Sequence, residues 1–271
     1  MTDGGKAGGM LDAILARTRE RVAAERAHRP LGSSHPAVRA APSVRPFAAA
    51  LVRPGGVRVI AEHKRRSPSR GPIREDLAPG DVARGYEAAG AAAISVLTDE
   101  PFFGGCLAHL EEARRATALP VLRKDFVLDP WQVWEARAAG ADAVLLIVAA
   151  LTDADLGGLL AAAREAGVDA LVEAHDRHEL DRALAAGSRI VGVNNRDLRT
   201  LAVSIETALA LAPAIPDDVV AVAESGLHRG RDLQRLRDAG FDAFLVGEHL
   251  MAAPDPGEAL RQLVAEAGRR R

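Results

Sequence analysis

Short apolar runs recur along the chain, five of them entered from a glycine-bearing phrase and most of them left on a polar residue. The phrase reads "EAAGAAA" at 87–93, "RAAGADA" at 137–143, "REAGVDA" at 164–170, "LAAGSRI" at 184–190 and "RDAGFDA" at 237–243. Each closes a stretch with helical apolar spacing, and its glycine falls just past a helix end, where a left-handed backbone is needed. The runs that follow, "AAISVL", "AVLLIV", "ALVEA", "RIVGV" and "AFLVG", read as strands. "VRVIAE" (57–62), "PVLRKD" (120–125) and "VVAVAE" (219–224) raise the strand candidates to eight. Segments such as "DLGGLLAAAREAG" (155–167) and "GRDLQRLRDAG" (230–240) carry helical spacing between them.

Strict alternation of strand and helix predicts a parallel sheet with helices outside. Eight units in about 220 residues fit a (β/α)8 TIM barrel, which typically takes about 250. A doubly wound open sheet is the competing layout, but the Gly-rich nucleotide fingerprint it would carry after the first strand is missing. Residues 1–50 lie outside the eight units. "MLDAILARTRERVAAERA" (10–27) predicts an amphipathic helix, and the Pro- and Ser-rich stretch 29–46 a connecting arm. The expected organisation is a helical amino-terminal extension over 1–50 and one barrel domain over 51–271.

Composition changes this picture only by exclusion. At 48% hydrophobic and 27% charged residues the chain is ordinary for a globular protein. A formal net charge of -2 argues against a general nucleic-acid binder, so any anion site has to be local. Cys106 is the single cysteine, which excludes an internal disulfide and zinc sites built from several thiolates. "MTDGGKAGGMLDAIL" lacks the apolar core of a signal peptide, and "AVLLIVAAL" (143–151) falls far short of the roughly 20 residues that span a bilayer. The expectation is a cytoplasmic protein with no nucleic-acid or membrane partner, and nothing points to an obligate protein partner.

In a parallel barrel, function gathers where strands end and βα loops begin. The polar residues at those ends are Glu62 and Lys64, Thr98, Lys124, Glu173, Asn194, Glu224 with Ser225, and Gly247 with Glu248. Side chains two apart on a strand share a face. Glu62 and Lys64 therefore point together, with Ile60 deeper on the same face. Taken singly, each has a bland alternative: a closing ion pair at Glu62–Lys64, a solvent-facing Lys124 beside Asp125, a turn cap at Asn194. Glu173 with His175 would also suit a metal pair, an idea weakened by two lysines nearby. "AESGL" (223–227) and "VGEHL" (246–250) place small residues after the last two strands, where barrels build phosphate sites from backbone N–H groups.

"VIAEHKRRSPSRG", "SVLTDEPFFGG", "PVLRKDFV", "ADAVLLIVAAL", "ALVEAHD", "IVGVNNRDLRTL", "VAESGL" and "AFLVGEHLM", eight motifs in order, together resemble the indole-3-glycerol-phosphate synthase family, from about residue 10 to the carboxyl end. The resemblance implies ring closure of 1-(2-carboxyphenylamino)-1-deoxyribulose 5-phosphate, with loss of carbon dioxide and water. It implies no redox step, and so no cofactor and no metal. By motif, Lys124 resembles the general acid at the ribulose carbonyl and Glu173 the acid–base carboxylate opposite it. Lys64 resembles the partner of the substrate carboxylate or a proton donor in dehydration, held by Glu62, and Asn194 a donor to substrate hydroxyls. Ser67, Glu224, Ser225, Gly226, Gly247 and the backbone at Glu248 match the substrate- and phosphate-binding positions. Phe103 and Phe126 match a pair that sandwiches the anthranilate ring, and Arg196 orients Asn194 or touches substrate. The basic loop after Lys64 is suited to fold over a doubly anionic substrate.

A lysine acid working near neutral pH is expected to have its ordinary value of about 10.4 lowered by burial or a nearby cation. The sequence departs from the family's commoner pattern at His63, at Trp131 and Trp134, expected to face outward, and at Glu248. Only the backbone of Glu248 is expected to face the phosphate, since its carboxylate would repel it. Two other readings fit the residues alone: a different phosphosugar lyase, isomerase or Schiff-base aldolase using Lys64 or Lys124, and a catalytically silent barrel serving as a binding module.

Overall fold

A computed structural model describes residues 9–52, 56–197 and 201–268. Residues 1–8 of the expected extension and 198–200 of "NNRDLRTL" lie outside the described residues. All eight strand candidates form: β1 (Arg58–His63), β2 (Ala93–Leu97), β3 (Val121–Lys124), β4 (Ala143–Ile147), β5 (Asp169–Ala174), β6 (Ile190–Asn194), β7 (Val220–Glu224) and β8 (Ala243–Val246). They pair in parallel and in chain order into a closed barrel. Ile60 of β1 lies opposite Leu245 on one side and Ala93 on the other, so first and last strands close the ring.

Three helices, α1 (Met10–His28), α2 (Pro36–Arg39) and α3 (Phe47–Leu51), precede β1. The crossovers and tail hold α4 (Pro79–Ala88), α5 (Glu100–Phe103), α6 (Leu107–Ala116), α7 (Pro130–Ala138), α8 (Asp153–Ala166), α9 (Arg177–Ala185), α10 (Glu206–Leu211), α11 (Gly230–Asp238), α12 (Glu248–Met251) and α13 (Pro256–Gly268). The five glycines of the recurring phrase all take positive φ, from 71° at Gly167 to 109° at Gly240, so a side chain there would strain the helix exit.

Strand alternation sorts the apolar residues into two cores. Val59, Ala61, Ile94, Val144 and Val172 face the helices. Ile60, Leu122, Leu145, Leu171, Val222 and Leu245 fill the barrel interior, together with Phe47 and Leu51 of α3. Asp169 accepts a hydrogen bond from Ala48 N (2.9 Å) and Asp142 one from Arg45 N (2.7 Å). These strand-start carboxylates satisfy backbone N–H groups in and just before α3, and they tie the extension to the barrel.

The tryptophans are not outward in the sense of solvent. Trp131 and Trp134 on α7 are buried, because the extension crosses over this helix. Trp131 donates its indole N–H to Arg29 O (2.7 Å), Arg29 pairs with Glu135 (3.0 Å), and Arg26 with Asp129 (2.7 Å).

His63 faces the helix layer, as expected, edge-on to His109 with ring centroids 5.9 Å apart. Burial first, then the neighbouring His109 and Arg65, push its pKa down to about 4. The unfolded chain, titrating near 6.5, takes up this proton first, so stability falls as pH drops from 6.5 towards 4. The residue's share of that loss is about 3 kcal/mol. Urea unfolding of His63→Phe should therefore show a flatter acid limb than wild type, and parallel limbs would refute this.

Candidate active site

Lys64 stands two residues beyond Glu62, and the two side chains meet with Nζ 3.1 Å from Oε1. Glu62 is buried, and its second oxygen accepts from Ser95 on β2 (3.3 Å). Lys124 ends β3, and its Nζ lies 3.1 Å from Glu173 Oε2 on β5 and 3.3 Å from Glu224 Oε2 on β7. Two glycines make room for these carboxylates. A Cβ at Gly192 would stand 2.2 Å from Glu224 Oε1, and one at Gly247 would stand 2.3 Å from Glu62 Oε1. The bland reading of Lys124 as a surface partner of Asp125 is thereby excluded.

Burial would lower the pKa of Lys124, but Glu173, Glu224 and Glu62 outweigh it and hold the ammonium well above the usual lysine range. The expected lowering is corrected: three carboxylates act on the lysine, and among the described residues no second cation touches it. Burial and then the Glu173 charge lift Glu224 to about 8, with Lys124 offsetting only part. For Glu173 burial acts in the same direction, yet Lys124, then His175 and Asn194, hold it well below the ordinary carboxylate range. The two carboxylates titrate as a pair, with the higher pKa at Glu224.

These groups line a 150 Å³ cavity that also takes in Asn194, Arg196, Ser225, Phe103 and Phe126. Asn194 Oδ1 accepts the Arg196 backbone N–H at 3.0 Å, which fixes the turn after β6. The rings of Phe103 and Phe126 lie 6.3 Å apart at 39°. At that spacing they contact each other, and they form one apolar wall instead of an open slot.

Ser225, Gly226, Gly247 and Glu248 share an adjoining recess of 80 Å³ with Lys64 and Arg196. Ser225 and Gly226 both have positive φ, 66° and 74°, and Asn195 Nδ2 pins the Ser225 carbonyl at 3.1 Å. A non-glycine residue held in that region is strained, which is characteristic of functional turns. Ser67 lines a third recess of 130 Å³ with Lys64, Arg196, Glu248 and the α1 residues Met10, Leu11 and Ile14.

The Glu248 side chain departs from expectation. Instead of turning away, it bridges Arg70 (3.2 Å) in the basic loop and Arg196 (3.9 Å) across the mouth. The paired arginines offset the repulsion that motivated the expectation. Glu224, grouped by motif with the phosphate side, belongs geometrically to the Lys124 cluster. Thr98 turns from the cavity to a buried ion network: its hydroxyl donates to Asp125 (2.8 Å), and Arg123 bonds Thr98, Asp125 and Glu135.

Sequence reasoning missed the work of His175. Its Nε2 lies 3.3 Å from Glu173 Oε1 and its Nδ1 2.9 Å from Glu179 Oε2. The signal was present, since Glu173 and His175 have the same two-residue spacing as Glu62 and Lys64. Among the described residues, no group of three His, Cys, Asp or Glu side chains could hold a metal. No helix among them is long and apolar enough to cross a membrane.

A closed parallel barrel whose carboxyl-terminal mouth brings two lysines against three carboxylates has the layout of a (β/α)8 enzyme. A family model described as indole-3-glycerol phosphate synthase matches residues 11–263. Proteins named indole-3-glycerol phosphate synthase from Aromatoleum aromaticum and Albidiferax ferrireducens are 50% and 48% identical, over 94% and 95% of this chain and 98% and 99% of theirs. The chain belongs to the indole-3-glycerol phosphate synthase family, whose members are carboxy-lyases of tryptophan biosynthesis. Among solved structures, a thiamine phosphate pyrophosphorylase from Pyrococcus furiosus superposes with a TM-score of 0.59 at 16% identity, covering 83% of this chain and 100% of that one. A mandelate oxidase mutant does so with 0.58 at 21%, covering 78% and 72%. At such identities the likeness is one of fold alone.

Proposed function

We propose that the protein converts 1-(2-carboxyphenylamino)-1-deoxyribulose 5-phosphate into indole-3-glycerol phosphate, carbon dioxide and water. The observation that carries the reading is Lys124 Nζ, seated between Glu173 and Glu224 and opening on the same cavity as Lys64. Attack of the aromatic carbon on the ribulose carbonyl puts negative charge on that oxygen. A buried ammonium at this point stabilises the charge and supplies a proton as the oxygen becomes basic. The high pKa of Lys124 suits this role, since the proton leaves only when a strongly basic oxygen forms. Loss of the carboxylate as carbon dioxide then restores the aromatic ring. Dehydration removes a proton from the carbon beside nitrogen and releases the hydroxyl as water, with Glu173 as the proton partner of the lysines.

Lys64, held by Glu62, meets the substrate carboxylate. The Phe103–Phe126 wall seats the anthranilate ring, and Asn194 and Arg196 meet the sugar hydroxyls. The phosphate binds at the Ser225–Gly226 turn and Gly247, with Ser67 and the basic loop closing over it. The barrel of 51–271 carries these groups, and α1 from the extension forms one edge of the mouth.

A direct assay tests the reading: purified protein, the carboxyphenylamino-deoxyribulose phosphate, indole fluorescence, and chelator present. Turnover supports it, and none from folded protein refutes it. Borohydride should trap no imine at either lysine, and a trapped adduct would favour the aldolase alternative. Ser225→Asp should raise KM at least about tenfold with a smaller change in kcat, because it sets a like charge beside the phosphate. An unchanged KM would move the phosphate elsewhere.

A further inference from the structure

Lys124 is one cation in direct contact with two fully buried carboxylates, Glu173 and Glu224. Against Lys124 alone two such charges would not both ionise, and the pair would hold one proton between them. Lys124 by itself does not choose between them, since it stands 3.1 Å from one and 3.3 Å from the other. The difference lies behind them. Among the described residues Glu224 Oε1 has no hydrogen-bond partner and no second cation beside it, whereas Glu173 Oε1 lies 3.3 Å from His175 Nε2, an ion-pair contact without hydrogen-bond geometry.

His175 is held on both sides. Its ring meets Glu173 on β5 and Glu179 on α9, and Glu179 Oε2 also accepts the His175 backbone N–H at 2.8 Å. The other charged side chains nearby are engaged elsewhere: Asp176 caps Glu179 N, and Arg182 bonds the carbonyls of Val148 and Leu151. With a carboxylate at each ring nitrogen, a neutral imidazole would leave one contact acceptor to acceptor. A cationic ring suits both contacts: Nδ1 hydrogen-bonds Glu179 Oε2, and Nε2, 3.3 Å from Glu173 Oε1, makes an ion-pair contact outside hydrogen-bond geometry. In agreement, although burial alone would lower it, Glu173 and Glu179 raise His175 to about 10. The ring is absent from the cavity lining, so it reaches the reaction only through Glu173.

We propose that His175 is a positioning residue that decides which carboxylate on Lys124 is ionised: as a cation clamped between Glu173 and Glu179, it keeps Glu173 charged and leaves the shared proton on Glu224. The consequence for catalysis rests on the function proposed above, in which Glu173 is the proton partner. The charge order itself does not. Without His175, Glu173 would keep only Lys124 and Asn194, and part of the proton population would move to Glu173.

Carboxyl-carbon NMR of the full chain labelled in glutamate, with Glu173→Gln and Glu224→Gln for assignment, reads the order directly. Wild-type protein at pH 7 should show Glu173 as carboxylate and Glu224 largely protonated. In His175→Gln the Glu173 signal should move towards the protonated position, and in His175→Gln/Glu224→Gln it should return. In the ring-closing assay, His175→Gln should lower kcat at pH 7 about tenfold with little change in KM, and shift the acid limb of kcat upward by about one unit. An unmoved Glu173 signal with an unmoved acid limb overturns the proposal. Should the variant not fold, ring-nitrogen NMR of wild-type protein decides: two protonated nitrogens on His175 at pH 8 support the proposal, and a neutral ring overturns it. The NMR arms contain no substrate, so failure of wild-type turnover would remove the functional reading alone.

Discussion

Replacing Lys124 with Ala should lower kcat by about 100-fold or more while KM changes only a few-fold. In the proposed reaction the ammonium meets the oxygen as charge develops, so its loss would be felt in the transition state and much less in the bound substrate. A second effect adds to it. Glu173 and Glu224, now held apart by Nζ, would face each other across an emptied position. One of them would then stay protonated over a wider pH range, and the alkaline side of the profile should shift. Lys124→Arg should not restore the rate, because a planar guanidinium has a different reach and releases its proton far less readily. Steady-state kinetics of both variants across pH tests this. An unchanged kcat in Lys124→Ala would remove Lys124 from the chemistry.

Arg123→Met should destabilise the fold by about 3–5 kcal/mol, the usual cost of removing one partner of a buried ion pair. Arg123 is fully buried on the helix side of β3 and bonds Asp125 (2.9 Å), Glu135 (3.0 Å), the Thr98 hydroxyl (3.2 Å) and Gln132 O (2.9 Å). Met fills similar volume but leaves two buried carboxylates without their main cation. For a domain of this size the melting temperature should fall by roughly 10 °C. Neutralising the carboxylates as well, in Arg123→Met/Asp125→Asn/Glu135→Gln, should recover part of the loss, because the penalty comes from unpaired charge. Thermal unfolding of the two variants checks this, and a single variant within 1 kcal/mol of wild type would refute it.

What was legible in the sequence was what local rules carry. A glycine after a helix, an apolar run and a polar strand end are signals within a dozen residues, and they placed all eight strands and most of the mouth. The two-residue period placed Glu62 with Lys64 in the same way. The Lys124–Glu224 contact was not legible, because those residues meet across the barrel interior and nothing near either one names the other. Arg123 was not legible for a related reason. Nothing within "LRKDF" sets it apart, and only the packing of α7 and α1 over β3 makes it a buried residue. The Glu248 side chain was misjudged because its partners, Arg70 and Arg196, come from two other loops.

The closure of the ring by β1 and β8 also bears on how the chain folds. Of the eight strands β1 emerges first during synthesis, yet its pairing partner on one side is the eighth, and Phe47 and Leu51 share their core with Ala243 and Leu245. Contacts so distant in sequence slow the search for the native state, and an unpaired parallel edge stays open until β8 is made. Glu224 and the Ser225–Gly226 turn lie just before β8 in the chain. The ring and the mouth it carries are therefore completed late, when β8 pairs with β1.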